Sequence, residues 1–444
     1  MKRFLETLQN IWKIEELKQR ILLTLGLVLI YRLGSYVVLP GINTEVLAAA
    51  NANANDGGII ALINAFAGGA FSRASIFGLG IMPYITASII IQLLGMAVPY
   101  FQKMQKEGES GRKKINQYTR FLTVAVTAVQ APGYLAAQVY SKPGVVGIDL
   151  AWFGIQSTII LVAGTMFIMW LGERITDKGI GNGISLLIMI GIISRLPFAI
   201  TSEFGSRLQS AGGGLIMFLL EIVFLLFIIV SCILLVQGTR RIPVQYAKKI
   251  VGNKQFGGVR QYLPLKVNAA GVMPIIFAQA IMFIPAAVSG FSGGTGGVFA
   301  DRYGFWYNFI FASLIIIFTY FYTAIMINPN QLADDMKRNG GFVPGVKPGK
   351  TTSEFIDQVM SRITLPGSLF LAFIAILPSI AIKMGINSSF ADFFGGTSLL
   401  ILVGVVLDTL QQIETFLLNR HYDGLMQSGR VKGRSSNQMT MQQA

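Results

Sequence analysis

Residues Ile59–Val98 read IIALINAFAGGAFSRASIFGLGIMPYITASIIIQLLGMAV, two apolar segments of different kinds set back to back. The first, Ile59 to Phe71, is too short to span: a helix of that length covers only ~20 Å of a ~30 Å hydrocarbon core. It carries Gly68 and Gly69 and closes at the polar turn Ser72-Arg73-Ala74-Ser75. A segment of that length reads as re-entrant or interfacial, and sits at membrane depth only where protein or a water-filled cavity covers its ends. The second, Ile76 to Val98, is long enough to span. Gly78, Gly80 and Pro83 loosen its first half, and Ile81 and Ile85 stand four residues apart on one helical face. A short half-dipping helix feeding a loosened spanning helix suggests a pore with something resting in it.

Composition supports a membrane setting. Mean hydropathy is +0.59. The chain is 53% hydrophobic and 13% charged, yet its formal net charge is +15. That pairing excludes an ordinary soluble domain and predicts an all-α, polytopic membrane protein. The single cysteine, Cys232, lies in an apolar run, and the single histidine, His421, in the C-terminal tail. Neither a disulfide framework, a metal site nor nucleophile–histidine chemistry has the residues it needs. No cofactor is expected, and no cleavable signal peptide is evident: the first apolar run ends at Pro40-Gly41 without a small-x-small pattern.

The chain opens, over residues 1–20, with apolar residues at helical spacing (Phe4, Leu8, Ile11, Ile14, Leu17) among Lys2, Arg3, Lys13, Lys18 and Arg20. This predicts an amphipathic helix lying on the membrane. Ten spans are expected: Ile21–Leu39, Ile76–Val98, Phe121–Gln138, Trp152–Leu171, Ile184–Ile200, Leu215–Val236, Ala270–Val288, Phe305–Ile327, Pro366–Ile382 and Ser398–Leu418. Arg73, Lys142, Arg195, Arg207, Arg302 and Lys383 fall in the loops on one side and Arg32 within a span; the rest of the 36 basic residues lie on the other side. The positive-inside rule then puts both termini in the cytoplasm, with residues 419–444 as a tail. The polar stretch 201–214 divides the chain into halves, 21–200 and 215–418, of five spans each. An odd number per half inverts one half against the other, as in inverted-repeat transporters.

Chemistry inside the membrane is sparse. Arg32, Glu221 and Asp408 are the mid-span ionisable residues; each is a functional candidate, a structural pair or a side chain snorkelling to the lipid interface. Ile184 and Ile188 repeat the spacing of Ile81 and Ile85, just after the flexible GIGNG at Gly179–Gly183. Two such pairs after glycine-rich breaks suit a constriction that gates by excluding water. Spacing alone favours ordinary packing or lipid-facing isoleucine.

Two cytoplasmic loops are long, basic and turn-structured. Residues 237–268 alternate apolar residues around a Gly-Asn-Lys and Gly-Gly turn region, predicting a protruding β-like hairpin that bears Arg240, Arg241, Lys248, Lys249, Lys254 and Arg260. Residues 328–365 hold FVPGVKPGK, two Pro-Gly turns around Lys347. Positive-inside bias explains the charge but not the turns, whereas a docking surface for an acidic partner, RNA included, explains both.

The runs FAGGAFSRASIFGLGIMPYITASIIIQLL (Phe66–Leu94), KEGESGRKKINQYTR (Lys106–Arg120), GERITDKGIGNGIS (Gly172–Ser185), RRIPVQYAKK (Arg240–Lys249), YLPLKVNAAGVMP (Tyr262–Pro274), GFVPGVKPGK (Gly341–Lys350) and FGGTSLLI (Phe394–Ile401) resemble the SecY family, the channel subunit of the Sec translocon. The resemblance implies ten helices clamshelled around an hourglass pore, with a lateral gate to lipid. It implies a pore ring of Ile81, Ile85, Ile184, Ile188, Ile276 and Ile401. It implies a plug helix of Leu62, Ile63, Asn64, Ala65, Phe66, Ala67, Gly68, Gly69, Ala70 and Phe71. Thr86, Gln92 and Asn268 become polar candidates near a gate between the second and third spans and the seventh and eighth. Arg240, Arg241, Lys248, Lys249 and Lys347 would dock the ribosome and the motor ATPase SecA, and SecE and SecG would be small membrane subunits. The family usually has arginine where this chain has Lys347, and the lysine ammonium does not supply a bidentate guanidinium.

The function implied is a passive channel in the bacterial inner membrane. It would pass unfolded secretory chains and release signal sequences and membrane segments into lipid. With no GxxxxGK[ST] loop, the energy must come from partners. The rival is a secondary transporter of small solutes, which shares inverted halves and broken helices. Such a carrier should converge polar residues at the midplane, where this sequence offers isoleucine. An intramembrane enzyme lacks its constellation.

Overall fold

The computed structural model describes residues 14–52, 64, 67–147, 149–209, 214–246, 249–251, 254–256, 260–279, 281–282 and 303–427. Its first helix, α1 (Glu15–Gly34), has Glu15 and Glu16 in its first turn and Arg32 in its last, charges that suit the two ends of the helix dipole. At Gly34 the ring of Phe77 stands 2.2 Å from where a β-carbon would be, so glycine is what lets the chain after the plug segment close on α1. The expected break at residue 20 is absent: residues 15–20 continue into the span, which ends at Gly34 and not at Leu39. Residues 1–13 of the expected amphipathic helix lie outside the described residues.

A short helix, α2 (Thr44–Ala52), precedes the plug segment, and α3 (Met82–Ala97) follows it. The second span was expected from Ile76; residues 76–81 are instead a run of turns, with Gly80 at φ 57° and Pro83 at the start of α3. A left-handed glycine ends any helix, and proline can open the next because its missing N–H needs no partner there. Helix α4 (Pro99–Lys106) turns away, bent by 101° from α3. Then come α5 (Glu109–Leu135), α6 (Leu150–Lys178), α7 (Gly183–Ile193) and α8 (Leu196–Gln209). The fifth span is thus broken at Ser194-Arg195, and residues 201–209, expected as a polar connection, remain helical.

The second half begins with α9 (Gly214–Gln237), whose buried residues are Glu221, Ile228 and Cys232. Leu225, Ile229 and Ile233 pack against the core, while Leu215, Ile216, Leu219, Phe227 and Leu234 are exposed, as lipid allows and water does not. Residues 273–279 are helical in the expected seventh span. Helix α10 (Phe305–Met326), α11 (Pro329–Arg338), α12 (Lys350–Lys383), α13 (Ser388–Ala391) and α14 (Gly396–Gln427) complete the chain. Helix α12 starts well before the expected Pro366, so much of the loop 328–365 is helix, as are the tail residues 419–427. Seven described helices are long and apolar enough to cross a membrane, and the bent pair α3–α4 makes an eighth. With α1 and residues 273–279, every one of the ten expected spans has helix in it.

The predicted hairpin is present. Strand β1 (Thr239–Tyr246) pairs antiparallel with β4 (Arg260–Lys266), setting Ile242 opposite Leu263. Strands β2 (Lys249–Val251) and β3 (Lys254–Phe256) form a smaller ribbon at its tip. The sequence did not show that β5 (Gly341–Phe342) joins the other edge of β1, giving the order β4-β1-β5. Ile242, Val244, Leu265, Met336, Val343, Ile356 and Met360 close a small core beneath that sheet. The two basic loops are therefore one body.

Candidate functional site

The plug segment was expected to be helical through Phe71. Asn64 is assigned to helix, but residues 67–74 are turns. The physical reason is backbone: Gly68 (φ 61°) and Gly69 (φ 85°) adopt left-handed conformations, which an α-helix does not contain. Leu62, Ile63, Ala65 and Phe66 lie outside the described residues. Asn64 is buried and staples the turn: its carbonyl accepts from the Gly69 amide at 2.9 Å and its side-chain Oδ1 from the Ser72 amide at 3.2 Å.

This turn is held from several sides. Ala67, Ala70 and Phe71 are buried in one apolar cluster with Leu39, Leu79 and Tyr134. Tyr134 donates its hydroxyl to the Phe71 carbonyl at 2.8 Å, and its ring meets that of Phe71 edge-on at 4.6 Å. Asn51 donates to the Ser72 carbonyl at 2.8 Å, and Lys142 donates to Asn51 Oδ1. Gly68 lies so close to α7 that an added β-carbon would come 3.0 Å from Gly191 Cα, while the position of one on Gly80 is 3.7 Å from Ala67 Cβ.

Ile81, Ile188 and Ile401 are buried within a single large apolar cluster, and Ile85 and Ile184 pack against it. These five come from three separated stretches of chain. Ile81 is not on a helix proper but caps α3, accepting from the Ile85 amide at 3.1 Å. Ile276 is half-buried and is not part of that cluster, although its neighbour Ile275 is. Asn182 caps α7 by accepting from the Ser185 amide, which sets the start of the helix carrying Ile184 and Ile188. The loop before it is tied across the molecule: Gly181 N–H donates to Gln412 Oε1 of α14 at 2.9 Å, and Ile180 N–H to Thr24 Oγ1 of α1 at 3.2 Å.

The gate candidates are not joined. Thr86 donates to the Met82 carbonyl and Gln92 to Ser88 Oγ, both within α3. Asn268 is buried, with Oδ1 unsatisfied. Of the docking candidates, Arg240, Arg241 and Lys347 are exposed on the sheet body. Strand alternation puts Arg240 on the face of Ile242 and Arg241 on the other. Beside Lys347, Val346 packs into the small core, and the Lys347 carbonyl accepts from Thr352 Oγ1 at 2.8 Å, which fixes the turn. Lys249 stands in β2, and Lys248 lies outside the described residues.

Two mid-span charges have specific partners. Glu221 pairs with Arg207 at 2.6 Å, and Arg207 also pairs with the fully buried Glu203 at 2.8 Å. Arg32 donates to the Gly68 carbonyl at 3.0 Å, and so does Arg73, at the same distance. Asp408 is exposed and accepts from Gln412, one turn away, at 3.3 Å. Charge counting put Arg73 and Arg207 in loops and so missed both as partners. The one available signal was the shared, otherwise uncompensated apolar setting of Arg32 and Glu221.

A model of the SecY family matches residues 75–410. The protein translocase subunit SecY of Streptomyces scabiei is 42% identical over 432 residues, covering 94% of this chain and 98% of that one. Among solved structures, a protein-conducting channel superposes with a TM-score of 0.64 at 18% identity, covering 89% of this chain and 91% of the other. Sec61 from the canine ribosome–channel complex of the endoplasmic reticulum superposes with a TM-score of 0.60 at 17% identity, with the same coverage. With the family match running over both sets of helices and a relative of such identity along nearly its whole length, the chain belongs to the SecY family.

Proposed function

We propose that polypeptides pass between the two halves of this chain through a neck of Ile81, Ile85, Ile184, Ile188, Ile276 and Ile401, closed at rest by residues 62–71. As a family member it is the central pore subunit of the protein translocase. One observation carries the reading of the closed state. The plug turn abuts both isoleucine-bearing stretches, with Gly68 against Gly191 of the helix holding Ile184 and Ile188, and Ala67 against Gly80 beside Ile81.

The chemistry of the neck is passive. Isoleucine offers a sliding polypeptide no hydrogen bond to stick to and gives water no reason to stay. Apolar segments leave sideways because lipid stabilises each central Leu, Ile, Phe or Val by roughly 0.3–0.6 kcal/mol. The chain lies in the bacterial inner membrane with both termini cytoplasmic, and SecE and SecG flank it. The sheet body with Arg240, Arg241 and Lys347 receives the ribosome or SecA, whose energy drives transport. That the structurally similar Sec61 is part of a ribosome–channel complex supports the first of these partners.

The test is binding. Reversing charge at Arg240, Arg241, Lys248 and Lys249 should weaken co-sedimentation with ribosomes and flatten its salt dependence, since counterion release supplies much of such affinity. Unchanged binding across a salt titration removes these residues from the docking surface.

A further inference from the structure

Arg32 and Arg73 reach the same oxygen from different parts of the chain. Arg32, in the last turn of α1, and Arg73, near the end of the same run of turns as Gly68, each donate one N–H to the Gly68 carbonyl at 3.0 Å. Tyr36 is the second shared partner. The Arg73 guanidinium lies 4.2 Å from its ring centroid and that of Arg32 5.0 Å, while Arg32 also donates to the Tyr36 hydroxyl at 3.0 Å. Among the described residues neither arginine forms a salt bridge with a carboxylate. Two like charges are thus brought together by one carbonyl and one aromatic ring, partners that favour each cation but do not neutralise it.

We propose that Arg32 and Arg73 are the latch that holds the plug shut. The proposal rests on the reading of residues 62–71 as the plug. The left-handed backbone of Gly68 and Gly69 turns the Gly68 carbonyl toward α1, and a side chain at Gly68 would be strained by its positive φ and crowded by Gly191 at 3.0 Å. Moving the plug turn away from α1 breaks the Arg32 bond to Gly68 and lifts Arg73 off the Tyr36 ring together. Arg32 sits on a spanning helix, so a tilt of α1 pulls directly on the plug.

The experiment reads ion leak through the full chain reconstituted in liposomes with its partner subunits. Arg32→Gln and Arg73→Gln should each raise the resting leak about tenfold, the shift expected for loss of one hydrogen bond to a charged group. Neither should leak more than a variant lacking residues 62–71, and Arg32→Gln should add nothing in that deleted background. Tyr36→Leu, which keeps both charges, should leak less than either arginine variant but more than wild type. A wild-type seal in both glutamine variants, beside a leaking deletion, overturns the latch and leaves the plug reading standing. A sealed deletion overturns both. Extra leak from Arg32→Gln in the deleted background shows that the arginine supports the fold, and overturns the latch. If Arg32→Gln is not recovered folded, Arg73→Gln and Tyr36→Leu decide the matter, and wild-type seals in both reject it.

Discussion

Arg207 serves two carboxylates at once. Its Nε donates to Glu203 and one Nη to Glu221, and the same Nη donates to the Gly385 carbonyl at 2.9 Å. Glu203 also accepts from the Asn387 amide at 2.9 Å, so the cluster ties α8, α9 and the turn after α12 together. Removing the cation leaves two buried carboxylates uncompensated. Arg207→Ala should therefore destabilise by roughly 3–5 kcal/mol, seen as a lowered midpoint in thermal unfolding of the detergent-solubilised protein. Glu221→Gln should cost less, because Glu203 still pairs; equal losses would mean that the surviving Glu203–Arg207 pair contributes nothing. Lys347 is the opposite case, an exposed cation on a fixed turn. Lys347→Glu should impair stimulation of the motor ATPase more than membrane insertion. Lys347→Arg should match or exceed wild type if a planar fork suits the partner. Wild-type stimulation in both would make the residue a bystander.

At the scale of elements, the sheet body shows what sequence can and cannot reveal. Alternation around Ile242 and Val244, with turn residues between, made the β1–β4 hairpin legible. Its third strand was not, because two residues, Gly341 and Phe342, carry no periodicity and pair only once β1 exists to receive them. Helix α12 is legible only from Pro366 because its second half alone is apolar; its first half is helical against the sheet's core through Ile356 and Met360. The plug segment reads as helix for the same kind of reason. Apolarity located it, but the left-handed glycines become visible only where α7 and α1 press on Gly68. Arg32 and Glu221 were recognisable as charges out of place, whereas their partners Gly68 and Arg207 were set by tertiary packing. The shared core under the sheet gives a prediction. Ile242→Ala should cost about 2–4 kcal/mol locally, typical of a large-to-small change in a buried site. It should speed proteolysis both in the β2–β3 tip and in the turn at Lys347. Faster cleavage at the tip alone would mean that the two loops are independent.

At the scale of the whole molecule, the proposed neck and the proposed docking surface lie on different parts of the chain, the isoleucines at the spans and Arg240, Arg241 and Lys347 on the sheet body. The ring residues come from the second, fifth, seventh and tenth expected spans, so a neck built from them narrows or widens only as the helices move relative to one another. Ile81, Ile188 and Ile401 share one buried cluster, which is what a sealed neck requires and also what ordinary packing produces. Polar substitution separates the two. In a neck, a side chain that hydrogen-bonds water lets water persist where isoleucine expels it. Ile401→Asn or Ile85→Ser should then raise ion leak through the resting channel and relax its demand for a strongly apolar signal sequence, with the protein still folded. In a packed core the same change buries an unpaired polar group and costs about 1–3 kcal/mol of stability with no gain in conductance. Deleting residues 62–71 should add to the leak without abolishing transport, because a plug blocks a pore and does not build one. Conductance and signal selectivity that both stay at wild type, or protein that is lost to unfolding, would assign these isoleucines to packing. Ile276 is the sharpest case, since it lies outside the cluster: Ile276→Asn should leak if it reaches the neck only as part of the ring, and should be silent if it faces lipid or a partner subunit.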